Sequence, residues 1–164
     1  LSMACIQGFT ETVKYLCDHM ENVDIDPSIQ GKSAVHWICQ SHKPEIVQIV
    51  LSKGIDVNRL DEEGHSGPFC LLDLVDEDTT IKILELLCGA GFDVNVPCVS
   101  VDGEKQNSVL GDFVSSIHRP IKVIEWLLQH GADPDAKLIR QNKTIRNFVN
   151  SSRNRKLLTV FNKY

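Results

Sequence analysis

Four near-identical phrases divide this chain: Met20-Glu21-Asn22-Val23-Asp24, Gly54-Ile55-Asp56-Val57-Asn58, Gly91-Phe92-Asp93-Val94-Asn95 and Gly131-Ala132-Asp133-Pro134-Asp135. Their closing residues, Asp24, Asn58, Asn95 and Asp135, lie 34, 37 and 40 residues apart. Recurrence near such a period means a stack of supersecondary units, each burying its apolar face against its neighbours. A stack of this kind has one continuous core and no internal boundary, so residues 1–164 are expected to form a single domain.

The later phrases each follow an apolar stretch at helical spacing. Ile46, Val47, Ile49, Val50 and Leu51 precede Gly54; Ile81, Ile83, Leu84, Leu86 and Leu87 precede Gly91; Ile121, Val123, Ile124, Trp126, Leu127 and Leu128 precede Gly131. The i, i+3, i+4 pattern predicts helices with a wide buried face. Gly54, Gly91 and Gly131 are expected to end them in the left-handed conformation, where a Cβ would clash. Met20 holds that place in the first unit, so its helix is expected to end differently.

Ahead of the helix that ends at Gly54 stands Gly31-Lys32-Ser33-Ala34-Val35-His36-Trp37-Ile38-Cys39. This segment resembles the ankyrin-repeat signature G-x-T-P-L-H-x-A, with Ser33 for Thr, Ala34 for Pro, Val35 for Leu and His36 kept. The resemblance implies an all-α solenoid of stacked helix pairs joined by short β-hairpins. It also implies structural roles for Ser33 and His36, which in that family tie neighbouring repeats together. A hydroxyl at a helix N-terminus caps free N–H groups, and a buried imidazole can bond in two directions.

Carried along the chain, the resemblance gives five units. Residues 1–26 form a partial repeat that starts at Leu1-Ser2-Met3-Ala4 without its hairpin half, so the chain is expected to be a piece of a longer array. Residues 27–59 form the cleanest repeat. Residues 60–95 read Gly67-Pro68-Phe69 where the signature has P-L-H, and their extra length is expected in a link, Asp76-Glu77-Asp78, between two helices. Residues 96–136 lack the signature His and open with a long polar stretch, 99–107, expected to project as a mobile hairpin finger. Residues 137–164 are expected to close the stack as a pair of capping helices with a polar outer face.

Little points to chemistry. The six cysteines mostly sit in apolar helical context, which suits small buried hydrophobes in a reducing compartment, and no CxxC pair supplies zinc-ligand spacing. His36 and Cys39 resemble a base and nucleophile only superficially, because the signature already explains His36. No catalytic residue, metal or cofactor is expected, and no small-molecule substrate. No apolar run approaches the ~18 residues of a membrane-spanning helix. Nucleic-acid binding would rest on the basic tail alone, with no interleaved aromatic set to stack bases, and is not expected. A cytoplasmic or nuclear monomer is the expected form.

Charge is distributed unevenly. Residues 137–164 hold eight Lys and Arg and no Asp or Glu, which leaves residues 1–136 with nine against 22, a net of −13. Between 61 and 78 lie Asp61, Glu62, Glu63, Asp73, Asp76, Glu77 and Asp78 with no Lys or Arg.

The expected function is that of a non-catalytic protein–protein interaction module. The resemblance implies contact through hairpins and first helices: Ile29, Gln30, Lys32, Gln40 and Ser41 in the second unit, Glu62, Glu63 and His65 in the third. Trp37 reads either as an aromatic anchor on that face or as core bridging two repeats. The acidic hairpin favours a basic partner segment. The alternative is the regulatory ankyrin portion of a larger enzyme, such as a kinase, ubiquitin ligase or acyltransferase.

Overall fold

The computed structural model describes residues 1–24, 31–73 and 76–164. Its helices form two layers. The first comprises α1 (Ser2–Ile6), α3 (Ala34–Gln40), a 3-10 helix (Gly67–Leu71), α6 (Val109–Ser115) and α8 (Ile145–Ser151). The second comprises α2 (Thr10–His19), α4 (Pro44–Leu51), α5 (Glu77–Gly89), α7 (Ile121–Gln129) and α9 (Arg155–Phe161). Within the second layer α2 packs on α4, α4 on α5, α5 on α7 and α7 on α9. Within the first, α1 packs on α3 and α3 on the 3-10 helix. The architecture is the all-α array of helix pairs, and none of its described helices is long and apolar enough to cross a membrane.

The apolar positions read from sequence form the core between the layers. Ile46, Val47 and Val50 of α4, Ile83, Leu84 and Leu87 of α5, and Val123, Ile124 and Leu127 of α7 are fully buried or nearly so. The helices end where the glycines stand: Gly54, Gly91 and Gly131 have φ of +72°, +95° and +84°. Met20 ends α2 in extended conformation instead, at φ −94° and ψ 132°.

The recurring phrase has a second role that its apolar residues conceal. The Asn58 side chain donates from Nδ2 to Gly91 O at 3.0 Å and accepts at Oδ1 from Asp93 N–H at 2.8 Å. Asn95 repeats both bonds one unit later, to Gly131 O at 2.8 Å and from Asp133 N–H at 2.9 Å. Asp24 accepts from Asp56 N–H at 3.2 Å, but a carboxylate cannot donate the return bond. Each phrase therefore reads the backbone of the next. Within each, Asp56, Asp93 and Asp133 fold the turn by accepting from the N–H two residues on.

Several elements depart from the sequence expectation. The first helix of the third unit is a short 3-10 turn rather than an α-helix. Gly67 and Pro68 are poor helix formers, and Gly67 is buried so closely that a Cβ would sit 2.7 Å from Val35 Cγ2. Asp76, Glu77 and Asp78 are no linker. Asp76 caps α5, accepting from Asp78 N–H at 3.2 Å, and Glu77 and Asp78 form its first turn. They meet the fourth unit directly: Lys122 N–H donates to Glu77 at 2.6 Å and Lys122 Nζ to Asp78 at 2.9 Å.

Residues 99–107 do contain a hairpin, with a bridge between Val99 and Lys105 and a turn at Gly103. The Val101 side chain is exposed, but its N–H donates to Glu62 O at 3.1 Å and so docks the hairpin on the third unit. Residues 137–164 open with a hairpin of their own, β1 (Lys137–Leu138) paired antiparallel with β2 (Lys143–Thr144), before α8 and α9. The last segment is thus a hairpin and helix pair, more than two capping helices. Thr144 caps α8 by accepting from Asn147 N–H at 3.2 Å, as Ser108 caps α6 by accepting from Gly111 N–H at 3.3 Å.

Gly64 allows the finger to dock. It has φ +84°, and a Cβ there would lie 2.3 Å from Ser100 N and 2.4 Å from Val99 C. At Gly91 the same Cβ would meet nothing within 4 Å. Gly91→Ala is therefore expected to cost only left-handed strain, about 1–2 kcal/mol. Gly64→Ala should add a backbone clash and cost about 3 kcal/mol or more. Urea unfolding of the two variants compares them directly, and equal losses would mean that the finger does not pack on Gly64.

Candidate functional site

The first-helix and hairpin face of the second and third units is organised around His36. This side chain is fully buried. Its Nδ1 accepts from Ser33 N–H at 3.2 Å and lies 3.2 Å from Ser33 Oγ, while Nε2–H donates to His65 O at 3.1 Å across the repeat boundary. The pattern needs the neutral imidazole, and burial pushes the His36 pKa below its ordinary value. With both ring nitrogens engaged, His36 is no base for Cys39, whose thiol is fully buried and raised well above its usual range by the same burial. All six cysteines are free thiols. No group of three or more His, Cys, Asp or Glu among the described residues could hold a metal ion.

The contact residues implied by resemblance divide into three groups. Ile29 and Gln30 lie outside the described residues. Trp37 and Ser41 are not surface contacts. Trp37 is 2% exposed, enclosed between repeats, with Lys32 Nζ 5.9 Å over its ring. Ser41 is buried at the end of α3, donating to Ile38 O at 2.6 Å and accepting from Lys43 N–H at 3.1 Å. Its small polar side chain is used to turn the chain. Lys32 and Gln40 are half-buried, and Glu62 and Glu63 are exposed on the third hairpin.

His65 sits behind them. Its ring stacks on Phe69 with centroids 3.9 Å apart, and its Nδ1 lies 3.6 Å from Asp61 and 3.5 Å from Glu63. The Asp61 carboxylate raises the His65 pKa against the opposing effect of burial. Burial would raise Asp61 in turn, but His65, through its ring and its N–H at 2.8 Å, holds it below the usual range. Beyond Phe69 a cleft of about 360 Å³ opens, shared by three repeats. Its walls include His65 and Phe69 from the third unit, Asn107 and Asp112 from the fourth, and Ile139 and Arg140 from the fifth.

Asp112 is the chemically unusual group in that cleft. Burial pushes its pKa up to about 6, opposed by Asn107 Nδ2, which donates to it at 3.2 Å, and by the more distant charges of His65 and Arg140. Asn107 also accepts from Ile139 N–H at 3.0 Å, so one amide joins the acid to the next hairpin. Sequence reading passed over Asp112, Asn107 and Arg140. The available signal was a lone carboxylate inside the apolar run Val109-Leu110-Gly111-Asp112-Phe113-Val114.

A folded-state pKa above the unfolded value of 3.8 means that ionised Asp112 weakens the fold. The cost is absent below the unfolded pKa, where both states hold the proton, and is full above about 6. Asp112→Asn is therefore expected to raise stability at neutral pH by about 1–3 kcal/mol. That gain should shrink as pH falls through 6 towards 4. Denaturant titrations across pH measure it, and a variant less stable than the parent at neutral pH would contradict this environment for Asp112.

Comparison with known proteins agrees with this architecture. A family model described as ankyrin repeats (3 copies) matches residues 1–61. Ankyrin repeat and SOCS box protein 6 of Homo sapiens is 30% identical over 134 residues, covering 79% of this chain and 30% of that protein. Its Pongo abelii counterpart is 29% identical over the same shares. Human ankyrin repeat and SOCS box protein 16 is 27% identical over 110 residues, 67% of this chain and 22% of that protein. The chain thus spans under a third of the length of these relatives. A repeating phrase that bonds to the next unit, helix pairs in two layers and a matching family model make this chain an ankyrin-repeat protein, and ankyrin repeats are protein-interaction modules of a generally non-catalytic fold.

Proposed function

We propose that this chain holds a segment of a partner protein on its first-helix and hairpin face and performs no chemistry on it. The observation that supports this most is the cleft built jointly by the third, fourth and fifth repeats beside the exposed Glu62 and Glu63. Helices and hairpins tied by backbone-directed bonds present such a face with little ordering cost. A basic segment suits the exposed Glu62 and Glu63, the latter 3.5 Å from His65, more than Glu77 and Asp78, which Lys122 engages. The chain acts as a monomer in the cytoplasm or nucleus.

The relatives carry a SOCS box by name, together with their ankyrin repeats. This supports a more specific form of the alternative raised by the sequence. The array is the recognition part of a larger ubiquitin-ligase adaptor, which selects the protein brought to the ligase.

Peptide-display selection on the 164-residue chain, followed by mapping of amide shifts, tests the reading. Selected segments should be basic and perturb Gln40, Glu62, Glu63 and His65. Glu62→Lys with Glu63→Lys should lower the association rate more than it raises dissociation, because rim charges chiefly steer encounter. Added salt should weaken binding as the Debye length falls below about 8 Å. Acidic or apolar segments that bind equally well in high salt, or shifts confined to α2, α4, α5 and α7, would overturn it.

A further inference from the structure

The cleft over Asp112 has properties that a generic interaction face does not need. Asp112 is a carboxylate within the apolar run of α6, and its side-chain hydrogen bond within the fold comes from a neutral amide, Asn107. No cation of the described chain lies within ion-pair distance of it. One wall is a planar surface, the His65 ring stacked on Phe69. Phe69 is 36% exposed although it stands in the signature position that His36 fills one repeat earlier. The volume, about 360 Å³, is at the lower end of clefts that take a small ligand, about 300–1,000 Å³.

We propose that this cleft is a specificity pocket for a cationic side chain, arginine before lysine, projecting from the bound protein segment. This rests on the interaction reading above and names what one part of the face recognises. A guanidinium would pair with the Asp112 carboxylate and lay its plane on the His65–Phe69 wall, a geometry that a lysine ammonium cannot match. The charges that act on Asp112 from around the cleft are those of His65 and Arg140, and neither sits within ion-pair distance of it. His65 is balanced by Asp61 and Glu63, at 3.6 and 3.5 Å. Arg140 stands exposed at the rim, where solvent screens it.

Asp112 must be ionised to pair, so binding and proton release are linked. The groups facing it are His65, Arg140 and Cys98. Burial pushes the Cys98 thiol up to about 11. His65 is the one other group of this set that changes charge between pH 5 and 8.

Acetyl-arginine amide, acetyl-lysine amide, acetyl-glutamate amide and inorganic phosphate, each titrated into the 164-residue chain, provide the test by amide shifts at Asn107, Gly111, Asp112 and Leu138. The arginine probe is expected to saturate these shifts, with the lysine probe weaker. Binding should weaken about tenfold between pH 7.5 and pH 5, as Asp112 takes up its proton. Asp112→Asn, close in shape and expected to fold more stably at pH 7, should lose most of the affinity and flatten the pH profile. A profile that survives in Asp112→Asn would assign the effect to His65 and overturn the proposal. So would saturation by phosphate or the glutamate probe, or an arginine probe that leaves these amides unmoved. If selected segments bind the face while the cleft ignores arginine, the interaction reading stands and this inference falls. If arginine fills the cleft but no protein segment can be selected, the reverse holds.

Discussion

The array depends on a side-chain amide that reads the backbone of its neighbour. Asn58 and Asn95 each supply one donor and one acceptor to the turn that opens the next phrase, and each next turn is itself closed by an aspartate. A side-chain amide can do both at once, which a carboxylate cannot. At the two ends of the series, Asp24 and Asp135 stand instead. Asp24 can only accept, and Asp135 turns to Arg146 of the last unit at 3.0 Å. Stability in a stack comes from such nearest-neighbour terms added to the packing of each unit. The ladder also fixes the register in which the first-layer helices present their side chains.

That register brings distant residues to one place. His65, Asp112 and Arg140 belong to three successive repeats, yet they line one cleft because each unit is translated by a similar step. Two further contacts hold the step locally. The Gly64 approach seats the finger of the fourth unit on the third hairpin, and Asn107 ties Asp112 to the fifth. The cleft is therefore a property of the stack. A carboxylate that lines a cleft made by three repeats, with a neutral amide as its hydrogen-bond partner, is better explained by what the surface binds than by what the core requires.

Much of the fold is legible in the sequence because its determinants are local. The glycines after each apolar run and the different helix end at Met20 follow from backbone sterics within a few residues, and the Ser33–His36 pair from the resemblance to the ankyrin signature. What the sequence left open or missed depended on neighbours. Trp37 reads as either anchor or core, and packing between repeats, which no spacing within α3 reveals, makes it core. Asp76, Glu77 and Asp78 look like a linker until Lys122, more than 40 residues later, engages the last two. The basic tail masked the hairpin that opens at Lys137. Asp112 was visible as a charge in an apolar run, but its meaning comes from Phe69, Asn107 and Arg140, which the chain brings together only in three dimensions.

Native-state hydrogen exchange at Asp93 and Asp133 tests the central claim most directly, since these amides donate to Asn58 and Asn95 across repeat boundaries. If the ladder locks the stack, both should exchange with protection close to that of the α5 and α7 cores. Asn58→Ala should then release Asp93 selectively, leaving Asp133 protected. Exchange of both amides at near-solvent rates in the parent chain, with the helix cores still protected, would contradict the claim that these bonds hold the repeats in register.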